Sequence, residues 1–227
     1  GQVRCWGQNN YGQLGLGSTT LVNGTVGFGN NIPVAVSNGN THTCAILDDA
    51  SLKCWGRNNH GQLGDGSYSN RNSPVDVDLG ENRTAVSVSA GNDFTCALLN
   101  TGDVKCWGYN GFGTLADGTT SDSNTPVVAN HSTGMRAVSL STPGYSVCAI
   151  FENGSVYCWG RTYTTSAENG AVTNGSVNIP FSTGRSAHSI DGTYWHTCAI
   201  LDNGSMNCWG LNTHGQWGDG TCSSSIS

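Results

Sequence analysis

The tripeptide Cys-Trp-Gly occurs five times, beginning at Cys5, Cys54, Cys106, Cys158 and Cys208, so the chain is one unit of about 51 residues copied along its length. The second copy reads THTCAILDDASLKCWGRNNHGQLGDGS and then SPVDVDLGENRTAVSVS, and the third repeats it as DFTCALLNTGDVKCWGYNGFGTLADGT. In the fourth copy the glycine-rich centre has decayed; the fifth stops after GQWGDGT, and the first opens only at VRCWG. Each copy sets short runs of Val, Ile, Leu, Trp and Thr between clusters of Gly, Asn, Asp and Ser, a strand-and-turn pattern without an amphipathic helix. A sheet of about four short strands cannot bury both faces alone, so copies must pack on their neighbours. About 50 residues suit a four-stranded propeller blade, and a ring leaves only short, protected edges. The expected fold is an all-β propeller over 1–227, a single domain or a propeller fragment. Its repeats fall at 1–36, 37–85, 86–137, 138–187 and 188–227, the first and last incomplete.

Four copies place a cysteine ten residues before the one in Cys-Trp-Gly: Cys44 with Cys54, Cys96 with Cys106, Cys148 with Cys158, and Cys198 with Cys208. Midway stand Asp48-Asp49-Ala50, Asn100-Thr101-Gly102, Glu152-Asn153-Gly154 and Asp202-Asn203-Gly204. These fit a three-residue hairpin loop whose third position is left-handed and suits Gly. In that register the cysteines face each other directly, within bridging distance, so a disulfide is expected in each hairpin. Ala50 breaks the glycine rule, and mild strain or a shifted turn is expected there. A zinc site is the rival reading, because His42 and His196 stand two residues before a cysteine. Phe94 and Ser146 occupy that position in the other copies and no short Cys-x-x-Cys occurs, so no metal and no cofactor are expected.

Ten cysteines among only 11% charged residues point to an oxidising compartment, secreted or at the cell surface. Nine Lys and Arg against fifteen Asp and Glu leave a net charge of −6, which removes the main energetic term of nucleic-acid binding. No apolar run reaches the length of a membrane span, and GQVRCWGQNN has neither a charged nor an apolar leader region, so no membrane insertion is expected and any signal peptide has already gone.

No nucleophile elbow, zinc-protease helix, P-loop or dinucleotide fingerprint is present, and the chain is not expected to be an enzyme. The GQLGDG strings recur once per copy and read as loop geometry. Asp65, Asp117 and Asp219 occur singly, which favours turn formation over calcium. His60 and His214 share a loop position with Tyr11 and Phe112, as a packing position would. The repeated Trp6, Trp55, Trp107, Trp159 and Trp209 read as core between blades. Departures from the repeat are where a binding surface would be written, which singles out Tyr68, Tyr145, Tyr163, Tyr194 and Trp195 for a protein or glycan partner. Trp217 departs as well. Sequons begin at Asn23, Asn82, Asn130, Asn153, Asn174 and Asn203, no more than composition predicts; Asn153 and Asn203 also have a turn reason to be Asn-Gly. Asn23, Asn82, Asn130 and Asn174 lie in inter-strand loops and are the candidate N-glycosylation sites.

The run Cys-Ala-Ile/Leu-x-x-x-Gly-x-x-x-Cys-Trp-Gly-x-Asn-x-x-Gly-Gln-Leu-Gly-x-Gly, then Thr/Ser-Pro-Val, resembles the repeat of the regulator of chromosome condensation family. Asn58, Gly61, Gln62, Leu63, Gly64 and Gly66 carry it in the second copy, and Asn212, Gly215, Gln216, Trp217, Gly218 and Gly220 in the fifth. The resemblance implies a propeller, usually of seven blades, that binds proteins. Members include the nuclear exchange factor for the GTPase Ran and a secreted propeller that inhibits β-lactamases. Exchange activity is not carried over, because paired cysteines belong outside the cytosol and no residue maps onto the GTPase-contacting positions. The main expectation is a non-catalytic extracellular binding or structural scaffold; a loop-based hydrolase and an intracellular exchange factor are the lesser readings.

Cys5 lacks an upstream partner and Cys222 is supernumerary. Thr221-Cys222 begins as other hairpin strands begin, so the tail could lie beside Val3–Trp6 and bridge Cys222 to Cys5. A closed five-blade ring, a head-to-tail filament of self-associating chains and a piece of a longer propeller all remain open.

Overall fold

The computed structural model describes residues 1–131, 133–162, 171–182 and 184–222, with the backbone alone at 171–175. β1 (Arg4–Cys5) and β2 (Gly24–Thr25) form a two-stranded sheet. The next is the antiparallel meander β3 (Pro33–Asn38), β4 (His42–Leu47), β5 (Leu52–Gly56) and β6 (Arg71–Asp76). It recurs as β7 (Ala85–Ala90), β8 (Phe94–Leu99), β9 (Val104–Gly108) and β10 (Ser123–Val128), and as β11 (Ala137–Ser141), β12 (Ser146–Phe151), β13 (Val156–Thr162) and β14 (Ala171–Ile179). The last sheet holds β15 (Ala187–Gly192), β16 (His196–Leu201) and β17 (Met206–Gly210). The five sheets are propeller blades, stacked so that β7 packs on β3 and β4, β11 on β7 and β8, and β15 on β11 and β12.

The hairpins form as the spacing dictates. Cys44 pairs with Cys54 across β4 and β5, and the three equivalent pairs do the same, with Cα atoms 4.1 Å apart in every bridge. The loop closes with Leu47 N–H on the Ser51 carbonyl and Ala50 N–H on the Leu47 carbonyl. Ala50 adopts φ 64°, where Gly102 and Gly154 adopt 83° and 78°, so the turn is not shifted and the left-handed strain falls on Ala50.

Successive side chains of each hairpin serve opposite neighbours. In β4 and β5, Ala45 and Trp55 face the first blade, while Cys44, Ile46, Leu52 and Cys54 face the third and form one apolar cluster with Trp107. The step repeats with Trp159 against the third blade and Trp209 against the fourth. The cystines of the second, third and fourth blades are thus sealed beneath the indole of the following blade. The indole Nε1 of Trp55 donates to the Gln13 carbonyl, Trp107 to Gln62 and Trp159 to Thr114, at 2.9–3.0 Å. A Cβ on Gly64 would lie 2.7 Å from the Trp107 Nε1, so that glycine is where the two blades touch.

Trp6 departs from expectation: it is 76% exposed, because no described blade lies on the face it presents. Cys5 and Cys222 form no bridge. Thr221 does not begin a hairpin strand; its N–H and hydroxyl bond Asp219, and its carbonyl accepts from Asn212, as Ser67 does with Asp65 and Asn58. The tail therefore continues the Asp-Gly loop, and Cys222 sits where the second copy has Tyr68.

Candidate functional site: an aromatic and arginine face on the blade loops

At one end of the second to fifth blades the residue before the first cysteine-bearing strand of the hairpin and the residue following Cys-Trp-Gly are locked together by the backbone. Arg57 N–H donates to the Thr41 carbonyl, Tyr109 to Asp93, Arg161 to Tyr145 and Leu211 to Trp195, at 2.8–3.0 Å. Each of these pairs flanks a strand pairing that the repeat holds constant: His42 opposite Gly56, Phe94 opposite Gly108, Ser146 opposite Gly160, His196 opposite Gly210. The scaffold is the same in these four blades and the side chains mounted on it differ, the arrangement expected of a binding face.

Those side chains contact one another from blade to blade. The Arg57 guanidinium lies 5.2 Å from the Tyr11 ring centroid, and its Nη1 is 3.5 Å from Asp93 Oδ1. Tyr145 donates its hydroxyl to Asp93 Oδ2 at 3.0 Å. Tyr145 also packs against Tyr109, Phe112 and Tyr194, with centroids 5.3–6.0 Å apart, and Tyr194 packs against Trp195 at 4.3 Å. Arg161 lies over Phe112 at 5.2 Å. His60 meets the Tyr109 edge and sits 2.7 Å from Asp122. Burial, reinforced by the Asp93 charge, pushes the Tyr145 hydroxyl above the usual phenol range, so it remains a donor. Asp93 is buried and occupied by that donor and by Arg57. The arrangement offers recognition by aromatic faces and fixed cations, with its one buried carboxylate engaged.

Of the residues singled out from sequence, Tyr145, Tyr194 and Trp195 come together here, and Trp195 is 41% exposed. Tyr68 stands exposed on the loop into β6 and joins none of these ring contacts. Tyr163 lies outside the described residues. Phe112 is a rung of the aromatic cluster, whereas His60 Nδ1 lies within hydrogen-bond distance of Asp122 and His214 is exposed, so their shared loop position faces the surface instead of a core. Asn23, Asn82 and Asn130 are exposed, as are Asn153 and Asn203; Asn174 lies within β14 instead of the expected inter-strand loop, and its side chain is not described. Asp65 accepts from Ser67, Asn58 and Arg71, a loop-organising role; Asp117 and Asp219 do the same with Thr119 and Thr221. Sequence reasoning missed Arg57, Asp93, Tyr109 and Arg161. The same test that found Tyr145, variation at a fixed repeat position, would have found Asp93 at the position Tyr145 itself occupies, and Arg57, Tyr109 and Arg161 at the residue following Cys-Trp-Gly.

Two family models described as regulator of chromosome condensation (RCC1) repeat match the chain, one over residues 1–46 and 52–98, the other over 34–62, 85–114 and 187–216. The E3 ubiquitin-protein ligase HERC2 of Homo sapiens is 28% identical over 166 residues, 70% of this chain and 3% of HERC2. The crystal structure of human WBSCR16 matches with a TM-score of 0.88 at 21% identity, over 98% of this chain and 60% of that one. Yeast RCC1 (Prp20), solved with Kap60 bound, matches with 0.77 at 16% identity, over 92% and 52%. The chain thus spans a small part of the curated relative and just over half of each solved chain, and the two structures establish the propeller fold.

Proposed function

Because the chain belongs to the regulator of chromosome condensation (RCC1) repeat family, we propose that it is a non-catalytic binding scaffold working outside the cytosol, whose blade loops hold a protein partner. The observation that carries this reading is the continuous contact line from Tyr11 through Arg57, Asp93 and Tyr145 to Tyr194, which crosses all five blades on one face. Tyr, Trp and Arg are the side chains that dominate protein-binding energetics, and here they are already fixed by one another, so little ordering entropy opposes binding. Yeast RCC1 is a relative solved with a protein, Kap60, bound. A glycan is the lesser partner reading, supported by the exposed indole of Trp195. Four cystines support the extracellular location, and the exposed Asn23, Asn82 and Asn130 would carry glycans there.

The test is saturable binding of labelled protein to intact cells and to a glycan array, compared with a Tyr194→Ala/Trp195→Ala double variant of unchanged circular dichroism. Binding to cells should weaken at least about tenfold in the variant. Equal binding by both proteins contradicts the assignment of this face, and loss confined to the array selects the glycan reading.

A further inference from the structure

The loop that closes each cystine hairpin lies at the end of the blade away from the aromatic face: Ile150 pairs with Val156 beside it, and Ser146 with Gly160 at the other end. In three copies this loop uses one side-chain oxygen at its second position. Asp49 Oδ1 accepts the backbone N–H of Ser51 at 3.0 Å and the Ser51 hydroxyl at 2.6 Å. Asn153 Oδ1 accepts from Ser155 in the same way, at 3.0 and 2.6 Å, and Asn203 Oδ1 from Ser205, at 3.0 and 2.7 Å. An aspartate thus closes the turn as an asparagine does, and the amide nitrogens of Asn153 and Asn203 are surplus to the fold. Both residues are exposed, and among the described residues no side chain or carbonyl takes a hydrogen bond from either Nδ2. The intervening residues are Gly154 and Gly204, so no side chain crowds the amides. The fifth blade already lies against the first of these tips, where a Cβ on Gly154 would meet Ser186, and Asn153 is exposed nonetheless. A neighbouring blade therefore leaves this position open.

We propose that Asn153 and Asn203, each in an Asn-Gly-Ser acceptor sequence, are N-glycosylation sites, modified by transfer from a lipid diphosphate-linked oligosaccharide. A bond forms between Nδ2 and C1 of the first sugar as the bond from C1 to the diphosphate oxygen breaks; the lipid diphosphate leaves with the electron pair and the amide gives up one proton. Oδ1 is untouched and goes on accepting from Ser155 or Ser205, so the turn survives the modification. Asn82 lacks this arrangement, because Thr84, two residues on, donates its N–H to Asn100. Both glycans would project from the end of the blades opposite Tyr145, Tyr194 and Trp195 and leave that face clear for a partner. The inference rests on the extracellular reading above, since such a transfer takes place outside the cytosol.

The experiment passes the full chain through the secretory pathway of a mammalian cell line and maps its glycopeptides, with peptide-N-glycosidase release in heavy-oxygen water marking each occupied asparagine. Asn153 and Asn203 should both be occupied in the secreted chain whose hairpin cystines have formed. The Asn153→Asp/Asn203→Asp variant keeps the turn oxygen, as Asp49 does, so it should be secreted with the same cystines and with two glycans fewer in its mass. Ser155→Ala/Ser205→Ala keeps both asparagines and should lose the same two glycans. A secreted, bridged chain with a bare amide at either position overturns the inference and leaves the extracellular reading standing, as does a Ser155→Ala/Ser205→Ala chain that keeps both glycans. A chain that leaves the hairpin cysteines reduced in that pathway overturns both.

Discussion

His42 is buried on the second blade with Nε2 2.8 Å from the Thr95 hydroxyl, and that hydroxyl donates to the Gln62 carbonyl. Thr95 has one proton and gives it to the carbonyl, so Nε2–H is the donor of the pair and Nδ1, which has no partner, is unprotonated. Burial lowers the pKa of His42 from its usual 6.5 to about 4. The unfolded chain takes up a proton below 6.5 and the folded chain does not until about 4. Stability is therefore full above that window and falls as the pH drops through it, by about 3 kcal/mol. The third blade shows the remedy: Phe94 fills the equivalent niche, with Gly91 leaving the space beneath its ring that Gly39 leaves beneath His42. His42→Phe should abolish most of the acid sensitivity, read as urea midpoints at neutral pH and near the folded pKa; equal acid losses in both proteins contradict the assignment. Comparing the copies argues against a metal-ligand role for His42, since Phe94 and Ser146 stand at its position. Its hydrogen bond to Thr95 crosses between blades, 53 residues away in sequence, and no local pattern carries that.

The hairpin is the element the repeat specifies most fully. A spacing of ten and a turn wanting a left-handed third residue placed all four cystines, and Ala50 keeps that conformation without changing the turn. The same reasoning misplaced Cys222, because two residues, Thr-Cys, are too short a motif to tell a strand start from the loop that follows Asp-Gly. What distinguishes the cystines is what covers them. Three lie buried under the next blade's tryptophan, whereas Cys198–Cys208 is half-buried on the outer face of the fifth. Access governs thiol–disulfide exchange, so graded reduction with alkylation and mass mapping should open Cys198–Cys208 first. Simultaneous opening of all four would contradict the covering role of the indoles. Removing the buried bridge by Cys96→Ala/Cys106→Ala should cost about 2–3 kcal/mol in denaturant unfolding.

Across the whole molecule, the number of blades and their incomplete ends were legible because a period needs only counting. Which tryptophan would be buried was not, because burial is a property of the neighbour: Trp6 has the same local sequence as Trp55, but no blade among the described residues lies on its face. Val36 makes the same point, exposed on β3 where Val88 is buried on β7, since the two-stranded first blade has no strand to lay against it. The account therefore stands on indoles inserted between successive blades, and amide-type exchange of the indole N–H groups tests it most directly. In a tryptophan-labelled, dilute and monomeric sample, the Nε1–H signals of Trp55, Trp107 and Trp159 should persist in deuterated water, and that of Trp6 should vanish at once. Rapid loss of all of them, or protection of Trp6 equal to the other three, would contradict the stacking of the blades.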